Sequence, residues 1–392
     1  MKTQKRQMLL FLLGFVCAFS ACAYNDSLHP ASTQQITSIM MTHTISSTPS
    51  RSTPEHPSIP TWTSIPSYDP ALLPTIFPMP VQKQLAISEF DRPNAILFST
   101  SRGHQQWIDV AVINSDGSNR ESVTFEDSTH YDETTDYNIR FLSPAWSPDG
   151  AMYAYVSQAF PWDGIRIRRE NLPDSIIASG AYSMYSDLSW SPDGRFIAFS
   201  TDTGYVNNDV CYVEVNMTNA GNAKNNCIHP EKANVYPSWS KDGKSIIFSG
   251  GSQLLIYKGK PTDLFLWTID TGNVTQITDT PESEILPKWS PDGARLAFIA
   301  RDNDSLIYTL YIANSDGSER IPVAGTGDVK GYDWSPDGKQ IVYSEVSPIL
   351  NSQCEGGGCT EFTTLKIIDI GTGSIRTLTD GKDWIGDPSW RP

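Results

Sequence analysis

Four cysteines in the central and carboxyl-terminal parts of the chain are suited to forming covalent cross-links. They are Cys211, Cys227, Cys354 and Cys359, and four cysteines allow three pairings. Cys211 and Cys227 flank a predicted hairpin, and CEGGGC closes a short loop by itself, so we expect the disulfides Cys211–Cys227 and Cys354–Cys359. The alternative is a metal site built from the same thiols, but neither spacing is the CxxC of zinc sites.

Two histidines offer a second set of candidate metal ligands. His104 and His130 are predicted to lie in loops close to each other, and His130 stands within the acidic stretch EDSTHYDETTD. Imidazole and carboxylate groups bind zinc and other transition metals, but two histidines do not make a complete set of ligands. We therefore predict no metal site and no cofactor. His104 and His130 are the weak candidates for metal ligands, should a metal bind.

The motifs of common hydrolases are absent from the sequence. No GxSxG nucleophile motif occurs, although that motif positions the serine of many hydrolases. Paired carboxylates for glycoside chemistry cannot be recognised from a sequence, because their separation is a property of the fold. We expect the chain not to be an enzyme, and the alternative is a carbohydrate-active enzyme, a glycosidase or a lyase, that uses carboxylates.

A repeated phrase defines the architecture that must position these side chains. WSPDG begins at Trp146, Trp190, Trp289 and Trp334, and the variant WSKDG begins at Trp239, so the intervals are 44, 49, 50 and 45 residues. Such a period is typical of a β-propeller blade. The phrase itself predicts a type I turn, since proline presets φ and glycine accepts a positive φ.

Short β-branched and aromatic runs surround each turn. FIAFS, SIIFS and QIVYS follow copies of the phrase and are too short for helices, so each repeat is expected to form four antiparallel strands. The chain ends in PSWRP, which reads as an inner strand, and NAILFS near residue 95 lacks a preceding WSPDG. We therefore predict an all-β, six-bladed propeller closed by strand exchange between its amino-terminal and carboxyl-terminal segments.

The repeat, written xPxWSPDGxxIAFxS, resembles that of TolB-type six-bladed propellers. The resemblance covers residues 91–392 and implies the fold far more specifically than a function. We expect no counterpart of the separate amino-terminal α/β domain of TolB, and none of the hydrolase domain of enzymes similar to prolyl oligopeptidase. The repeat tryptophans are expected to be structural, each burying a large apolar surface: Trp146, Trp190, Trp239, Trp289, Trp334 and Trp390.

The amino terminus predicts export and lipid attachment. Basic residues precede the apolar run MLLFLLGFV, which is typical of a signal peptide, and FSAC resembles a bacterial lipobox with Cys22 as the lipidated residue. We therefore expect a signal peptide over residues 1–21 and a Ser/Thr/Pro-rich flexible linker over residues 22–90. The protein would be an extracytoplasmic lipoprotein held on a membrane, on its periplasmic or cell-surface side.

Charge restricts the class of partner. The net charge is −15, and no basic patch with interleaved aromatic residues occurs, so nucleic acid is excluded as a partner. We expect a monomer that binds a protein or a cell-wall glycan.

Binding is expected on the propeller face that carries the longer and more variable loops, because loops on a rigid scaffold usually determine specificity. Acidic and aromatic residues are frequent in these loops. The predicted function is a binding or scaffold module, and the candidate contact residues are Tyr131, Tyr137, Trp162, Tyr205 and Trp384.

Overall fold

The computed structural model contains six antiparallel sheets of four strands each, arranged as the blades of a propeller. The prediction of a six-bladed β-propeller is confirmed. The structure describes residues 88–101, 108–124, 140–158, 164–178, 184–202, 208–215, 225–228, 233–251, 262–301, 307–323, 326–347 and 362–392. Among these residues, no helix is long and apolar enough to cross a membrane.

Within each blade the strands follow one another from the propeller axis outward, and they are numbered along the chain. The innermost strands are β4 (Arg140–Trp146), β8 (Met184–Trp190), β12 (Ala233–Trp239), β16 (Ser283–Trp289), β20 (Val329–Trp334) and β24 (Ile385–Trp390). The second strands are β1 (Ala95–Thr100), β5 (Met152–Gln158), β9 (Phe196–Asp202), β13 (Ser245–Gly251), β17 (Arg295–Arg301) and β21 (Gln340–Val346).

The third and fourth strands complete the blades. The third strands are β2 (Asp109–Asn114), β6 (Gly164–Arg169), β10 (Asn208–Glu214), β14 (Asp263–Thr268), β18 (Thr309–Asn314) and β22 (Thr363–Asp369). The outer strands are β3 (Glu121–Ser122), β7 (Leu172–Ala178), β11 (Asn226–Ile228), β15 (Val274–Gln276), β19 (Ile321–Pro322) and β23 (Ile375–Thr377). A 3-10 turn, Glu89–Asp91, precedes β1.

Strand exchange closes the ring as the sequence predicts. β24, the last strand of the chain, pairs antiparallel with β1, with Ile96 opposite Trp390 and Leu97 opposite Ser389. Blade 1 therefore contains β24, β1, β2 and β3. Because its innermost strand comes from the other end of the chain, blade 1 exposes no inner edge that could pair with another molecule.

The repeated phrase forms the turn between the first and second strands of a blade. In the first copy, Gly150 has a φ of 65° and donates its N–H to the carbonyl of Ser147 at 2.9 Å, while the hydroxyl of Ser147 donates to Asp149 at 2.6 Å. The WSKDG variant keeps the same geometry, because Gly243 donates to the carbonyl of Ser240 at 2.9 Å. The turn therefore does not depend on proline.

Neighbouring turns also pack against each other. The ring of Pro148 lies beside Gly194 of the next blade, and the side chain of Lys241 lies beside Gly293 in the same way. At the closure point, the side chain of Arg391 packs beside Gly150. The WSPDG turns of blades 2 to 6 therefore form a continuous row, each in contact with the next.

The core lies between adjacent blades. Trp146 is 6% exposed and contacts Phe90 and Tyr153, with ring centroids 5.7 and 5.3 Å away. The indole N–H of Trp190 donates to the carbonyl of Ala145 in the preceding blade at 2.9 Å. The repeat tryptophans thus join blades mainly through apolar contact, and Trp190 and Trp334 add an indole hydrogen bond to the preceding blade.

One disulfide lies within the described residues and joins Cys211 to Cys227. The two cysteines face each other across β10 and the outer strand β11. Cys211 is fully buried and packs between blades 2 and 3. Cys354 and Cys359 lie outside the described residues, so the second expected pairing stays a prediction.

Candidate functional site

Most of the residues predicted to contact a ligand fall in loops that lie outside the described residues. This applies to the residues Cys22, His104, His130, Tyr131, Tyr137, Trp162 and Tyr205. Trp384 is described and stands just before β24. Its backbone is paired with Ser101, whose N–H donates to the carbonyl of Trp384 at 3.1 Å, and its indole ring packs over Gly386. Trp384 is half-buried, and its role in binding stays a prediction.

The structure shows a candidate site that the sequence analysis missed, at the propeller axis. In five blades the innermost strand is interrupted there by a bulge that begins three residues before the repeat tryptophan, and in blade 6 the pairing shifts one residue earlier, at Lys330. The residue at that position has a positive φ of 49° to 60° in five blades: Ser143, Asp187, Tyr236, Leu286 and Asp387. In blade 6 the position is Gly331.

The local sequence explains the bulge. Proline follows the bulged residue in four blades, as Pro144, Pro237, Pro287 and Pro388. Proline cannot donate to a strand ladder, so it fits where the ladder is interrupted, and a bulge bends the strand and redirects its side chains. At Gly331 a side chain would meet the backbone of Asp387, since an added Cβ would lie 3.1 Å from its nitrogen.

Hydrogen bonds link these bulges from blade to blade. Asp387 Oδ2 accepts from the backbone N–H of Ser143 at 3.3 Å, and the hydroxyl oxygen of Ser143 accepts from the N–H of Asp187 at 3.2 Å. The side chain of one bulge therefore caps the backbone of the next.

A second set of hydrogen bonds between blades lies two residues further along the innermost strands, next to the repeat tryptophans. The residue before one tryptophan accepts from the backbone N–H of the tryptophan in the next blade. Ser389 accepts from Trp146 at 3.2 Å, and Asp333 accepts from Trp390 at 2.8 Å. The bulge position lies three residues before the repeat tryptophan, and the second accepting position lies one residue before it. This fixed distance from the tryptophan is the signal by which the sequence could have revealed the site.

The bulges enclose a cavity of about 50 Å³ on the axis. Its walls combine apolar and charged groups, and every innermost strand contributes to them. The lining residues are Ser143, Pro144, Asp187, Leu188, Tyr236, Pro237, Leu286, Pro287, Lys288, Gly331, Tyr332, Asp387 and Pro388.

Burial dominates the electrostatics of Asp387. Desolvation raises the pKa of this carboxyl, and three weaker effects lower it: the N–H of Ser143, the positive charge of Lys288 and the hydroxyl of Ser99. The Ser99 hydroxyl donates to Asp387 Oδ2 at 3.3 Å. The protein therefore holds a carboxylate in surroundings that disfavour its charge.

The other polar groups of the cavity interact with one another. Burial raises the pKa of Tyr236, and the negative charges of Asp187 and Asp387 raise it further, so these groups share one electrostatic environment. Lys288 Nζ lies 3.2 Å from Asp333 Oδ1 and 5.7 Å from the ring centroid of Tyr332. Lys288 is thus already paired with a carboxylate that lies outside the cavity wall.

The arrangement can bind a polar or cationic group within apolar walls. Within the described ranges, no group of three or more His, Cys, Asp or Glu side chains is arranged to hold a metal ion. The candidate metal ligands His104 and His130 lie outside the described residues, so the predicted absence of a metal site stays a prediction.

Comparisons with known proteins agree with this fold. No family profile matches the sequence. TolB from Acinetobacter baumannii has a similar structure, with a TM-score of 0.58 at 18% identity over 82% of this chain and 70% of TolB. The fold is therefore TolB-like, as the resemblance implied, and at this identity the likeness concerns the fold alone.

Two sequence relatives are named as peptidases. Dipeptidyl-peptidase 5 of Porphyromonas gingivalis is 32% identical over 346 residues, which is 76% of this chain and 47% of that protein. The uncharacterized peptidase YuxL of Bacillus subtilis is 25% identical over 165 residues, 42% of this chain and 21% of YuxL. The chain thus spans about half the length of the first relative and about a fifth of the second.

These relatives correct the prediction that the chain is not an enzyme. That prediction rested on the absence of a hydrolase motif, and it is wrong because one relative matched over 76% of the chain and a second matched over 42% carry the names of peptidases. The matched region corresponds to about half of dipeptidyl-peptidase 5. A motif search within that region therefore does not exclude activity.

Proposed function

We propose that this propeller binds a peptide segment of a protein partner, and that the bound segment reaches into the cavity on the propeller axis. The observation that carries the proposal is the Asp387 carboxylate, which faces that cavity in surroundings that raise its pKa. The relatives named as peptidases support a peptide rather than a glycan as the ligand.

The cavity chemistry argues for binding rather than for a purely structural role. A carboxylate buried without a close counter-ion lowers stability, and a neutral side chain of the same shape would serve the bulge equally well. Residues that oppose stability concentrate at functional sites. The apolar wall of Leu188, Leu286 and the prolines supplies contact area, while Asp187 and Asp387 supply polar selectivity.

The proposed location of the protein follows from its amino terminus. We propose that residues 1–21 direct export, that Cys22 carries lipid, and that the linker predicted over residues 22–90 tethers the propeller outside the cytoplasm. The last residues of that range, Glu89 and Phe90, pack against blade 2 and belong to the propeller. Metabolic labelling with an alkyne palmitate analogue tests this, because the wild-type chain should be labelled and Cys22→Ser should not. Equal labelling of the two chains would refute lipid attachment at Cys22.

A peptide-display screen tests the binding proposal. The propeller should select peptides from a random library, and these should bind in fluorescence polarisation with micromolar or tighter affinity. Leu286→Trp fills the cavity and should abolish binding. Leu172→Trp is the matched control, because Leu172 lies on an outer strand and is 48% exposed.

Two outcomes would contradict the proposal. One is failure to select any peptide, together with binding of oligosaccharides on a glycan array. The other is undiminished peptide binding by Leu286→Trp when its thermal unfolding matches that of Leu172→Trp.

The peptidase names of the relatives support a second candidate, in which the bound peptide is a substrate. We propose that the chain then releases dipeptides from the amino terminus of peptides. A panel of dipeptidyl 4-nitroanilide substrates tests this candidate, with Leu286→Trp as the variant that should lose activity. Absence of nitroaniline release from the whole panel would leave peptide binding as the function.

A further inference from the structure

We infer that the cavity on the propeller axis takes a primary ammonium group, supplied by a lysine side chain or by the free amino terminus of a peptide. This inference rests on the proposed function and names the ligand group that the peptide brings. The juxtaposition that carries it is Asp387 beside Asp187 and Tyr236 in a small cavity with apolar walls.

The charge inside the cavity favours a cation. Two carboxylates, Asp187 and Asp387, and one ammonium, Lys288, line the wall. Lys288 Nζ lies 3.2 Å from Asp333 Oδ1, so its charge is compensated from outside the wall. The Asp387 carboxylate, which accepts hydrogen bonds from two neutral donors, therefore supplies negative charge to a ligand, and the low dielectric inside the cavity strengthens the attraction.

Asp387 has capacity left for a donor. Its Oδ2 accepts from two neutral groups, the N–H of Ser143 and the hydroxyl of Ser99, each at 3.3 Å. A carboxylate offers about four acceptor positions, and no donor among the described residues bonds to Oδ1. An ammonium group carries three donors and would form the short, charge-assisted bond that Asp387 lacks.

The size and walls of the cavity select among cations. A volume of about 50 Å³ exceeds the roughly 10–15 Å³ that a cavity needs to hold one water, so it has room for an ammonium with its adjoining methylene. The planar guanidinium of arginine presents five donors in a rigid fork and needs more room. Tyr236 adds an aromatic surface that attracts cations, and the prolines contact the aliphatic stem.

A divalent metal ion fits the same cavity poorly. Calcium takes six or more oxygen ligands, and magnesium demands octahedral geometry. The described residues hold no cluster of three or more metal-ligating side chains. A monovalent ammonium with directed hydrogen bonds matches the site better.

Small probes test the inference without a selected peptide. n-Butylammonium represents the lysine side chain, and alanyl-alaninamide represents a free amino terminus, while n-butanol and n-butylguanidinium are the comparison probes. Binding is measured by saturation-transfer NMR titration at physiological salt, where long-range attraction by surface acids is screened. At least one ammonium probe should bind about tenfold more tightly than either comparison probe.

Three variants link the binding to the cavity. Asp387→Asn keeps the acceptor for Ser143 and should weaken the ammonium probe about tenfold, and Leu286→Trp should abolish its binding. Glu214→Gln makes the same change of charge on an exposed side chain and should leave binding unchanged. Thermal unfolding of each variant confirms that the fold is intact.

Tighter binding of n-butylammonium would identify a lysine side chain as the ligand group, and tighter binding of alanyl-alaninamide would identify a free amino terminus. Equal binding would mean that the cavity accepts both. The inference is overturned if n-butanol or n-butylguanidinium matches the ammonium probes, or if Asp387→Asn binds them as the wild type does. If the ammonium inference fails but Leu286→Trp still abolishes binding of the display-selected peptides, the proposed peptide-binding function stands. If no display-selected peptide binds in the cavity either, the inference and the proposed function are both wrong.

Discussion

The side chain of Asp387 accepts a hydrogen bond from the backbone N–H of Ser143 at 3.3 Å, although the two residues are 244 positions apart. Asp387 lies on β24 and Ser143 on β4, so this bond joins the last strand of the chain to the neighbouring blade at the propeller axis. Two residues further along β24, the hydroxyl oxygen of Ser389 accepts a second hydrogen bond from β4, from the backbone N–H of Trp146 at 3.2 Å. Ring closure and the candidate site therefore depend on the same strand.

Replacing Asp387 with asparagine should change how stability depends on pH. The folded-state pKa of Asp387 is raised, so its favourable contribution is complete below its unfolded pKa and is lost as pH rises through the folded pKa. Asparagine does not titrate and can still accept from Ser143. Asp387→Asn should therefore match the wild type at low pH and be more stable at pH 8.

Urea denaturation at several pH values measures this difference. Glu214→Gln is the control, because Glu214 is exposed and its removal should not produce the same pH dependence. A variant Asp387→Asn that is less stable than the wild type at pH 8 would show that the charged carboxylate stabilises the closed ring.

The sequence predicts the blades well because the turn phrase is local. Each WSPDG copy contains the residues that make its turn, and the flanking strands alternate within a few positions. The closure by PSWRP follows from the same pattern, since an inner strand ending at Trp390 must pair with the segment that contains Ile96.

The axial site could not be predicted in the same way. It combines one position from each of six strands that are far apart in sequence, and the residue types share no chemical class: Ser143, Asp187, Tyr236, Leu286, Gly331 and Asp387. Their common property is the distance to a tryptophan, which becomes meaningful only after the ring is known to close. The predicted contacts in the loops, such as Trp162, depend on conformations that no local pattern determines.

Proline at position 241 should stabilise the protein. Lys241 occupies the turn position that is proline in the other WSPDG copies, and the turn keeps the same bond from Gly243 to Ser240 at 2.9 Å. Proline restricts the unfolded chain, so Lys241→Pro should add about 0.5 to 1 kcal/mol to the free energy of unfolding.

Equilibrium denaturation of Lys241→Pro measures this effect. Lys244→Pro is the matched control, because the N–H of Lys244 donates to Asp242 at 3.1 Å and its loss should lower stability. If both variants were destabilised, the backbone at Lys241 would be unsuited to proline despite the shared hydrogen bond.

The disulfide should stabilise blade 3. Cys211 and Cys227 are separated by 16 positions, and closing a loop of this length contributes about 3 kcal/mol in the chain-entropy description. Denaturation of the wild type with and without dithiothreitol should show a loss of this order. The variant Cys211→Ala with Cys227→Ala should be insensitive to the reductant, and an equal loss in that variant would assign the effect to other cysteines.

The buried ion pair of Arg168 and Glu89 should be worth far more than an exposed one. Arg168 Nε lies 2.8 Å from Glu89 Oε1, with side chains 9% and 5% exposed, and Arg168 also donates to the carbonyl of Val123 at 2.7 Å. This pair fastens the segment before β1 to blade 2. Arg168→Met leaves the Glu89 carboxylate buried without a positive charge beside it, keeping only the hydroxyl of Tyr153 at 3.4 Å, and should cost about 3 to 5 kcal/mol.

A double-mutant cycle separates the pair from its surroundings. Arg168→Met combined with Glu89→Leu should recover part of the loss, because no charge then remains buried. Arg195 and Glu214 provide the control, since they lie 3.7 Å apart with side chains 64% and 57% exposed. Arg195→Met should cost less than about 1 kcal/mol. Similar losses for Arg168→Met and Arg195→Met would mean that the segment before β1 is not fastened by this charge pair.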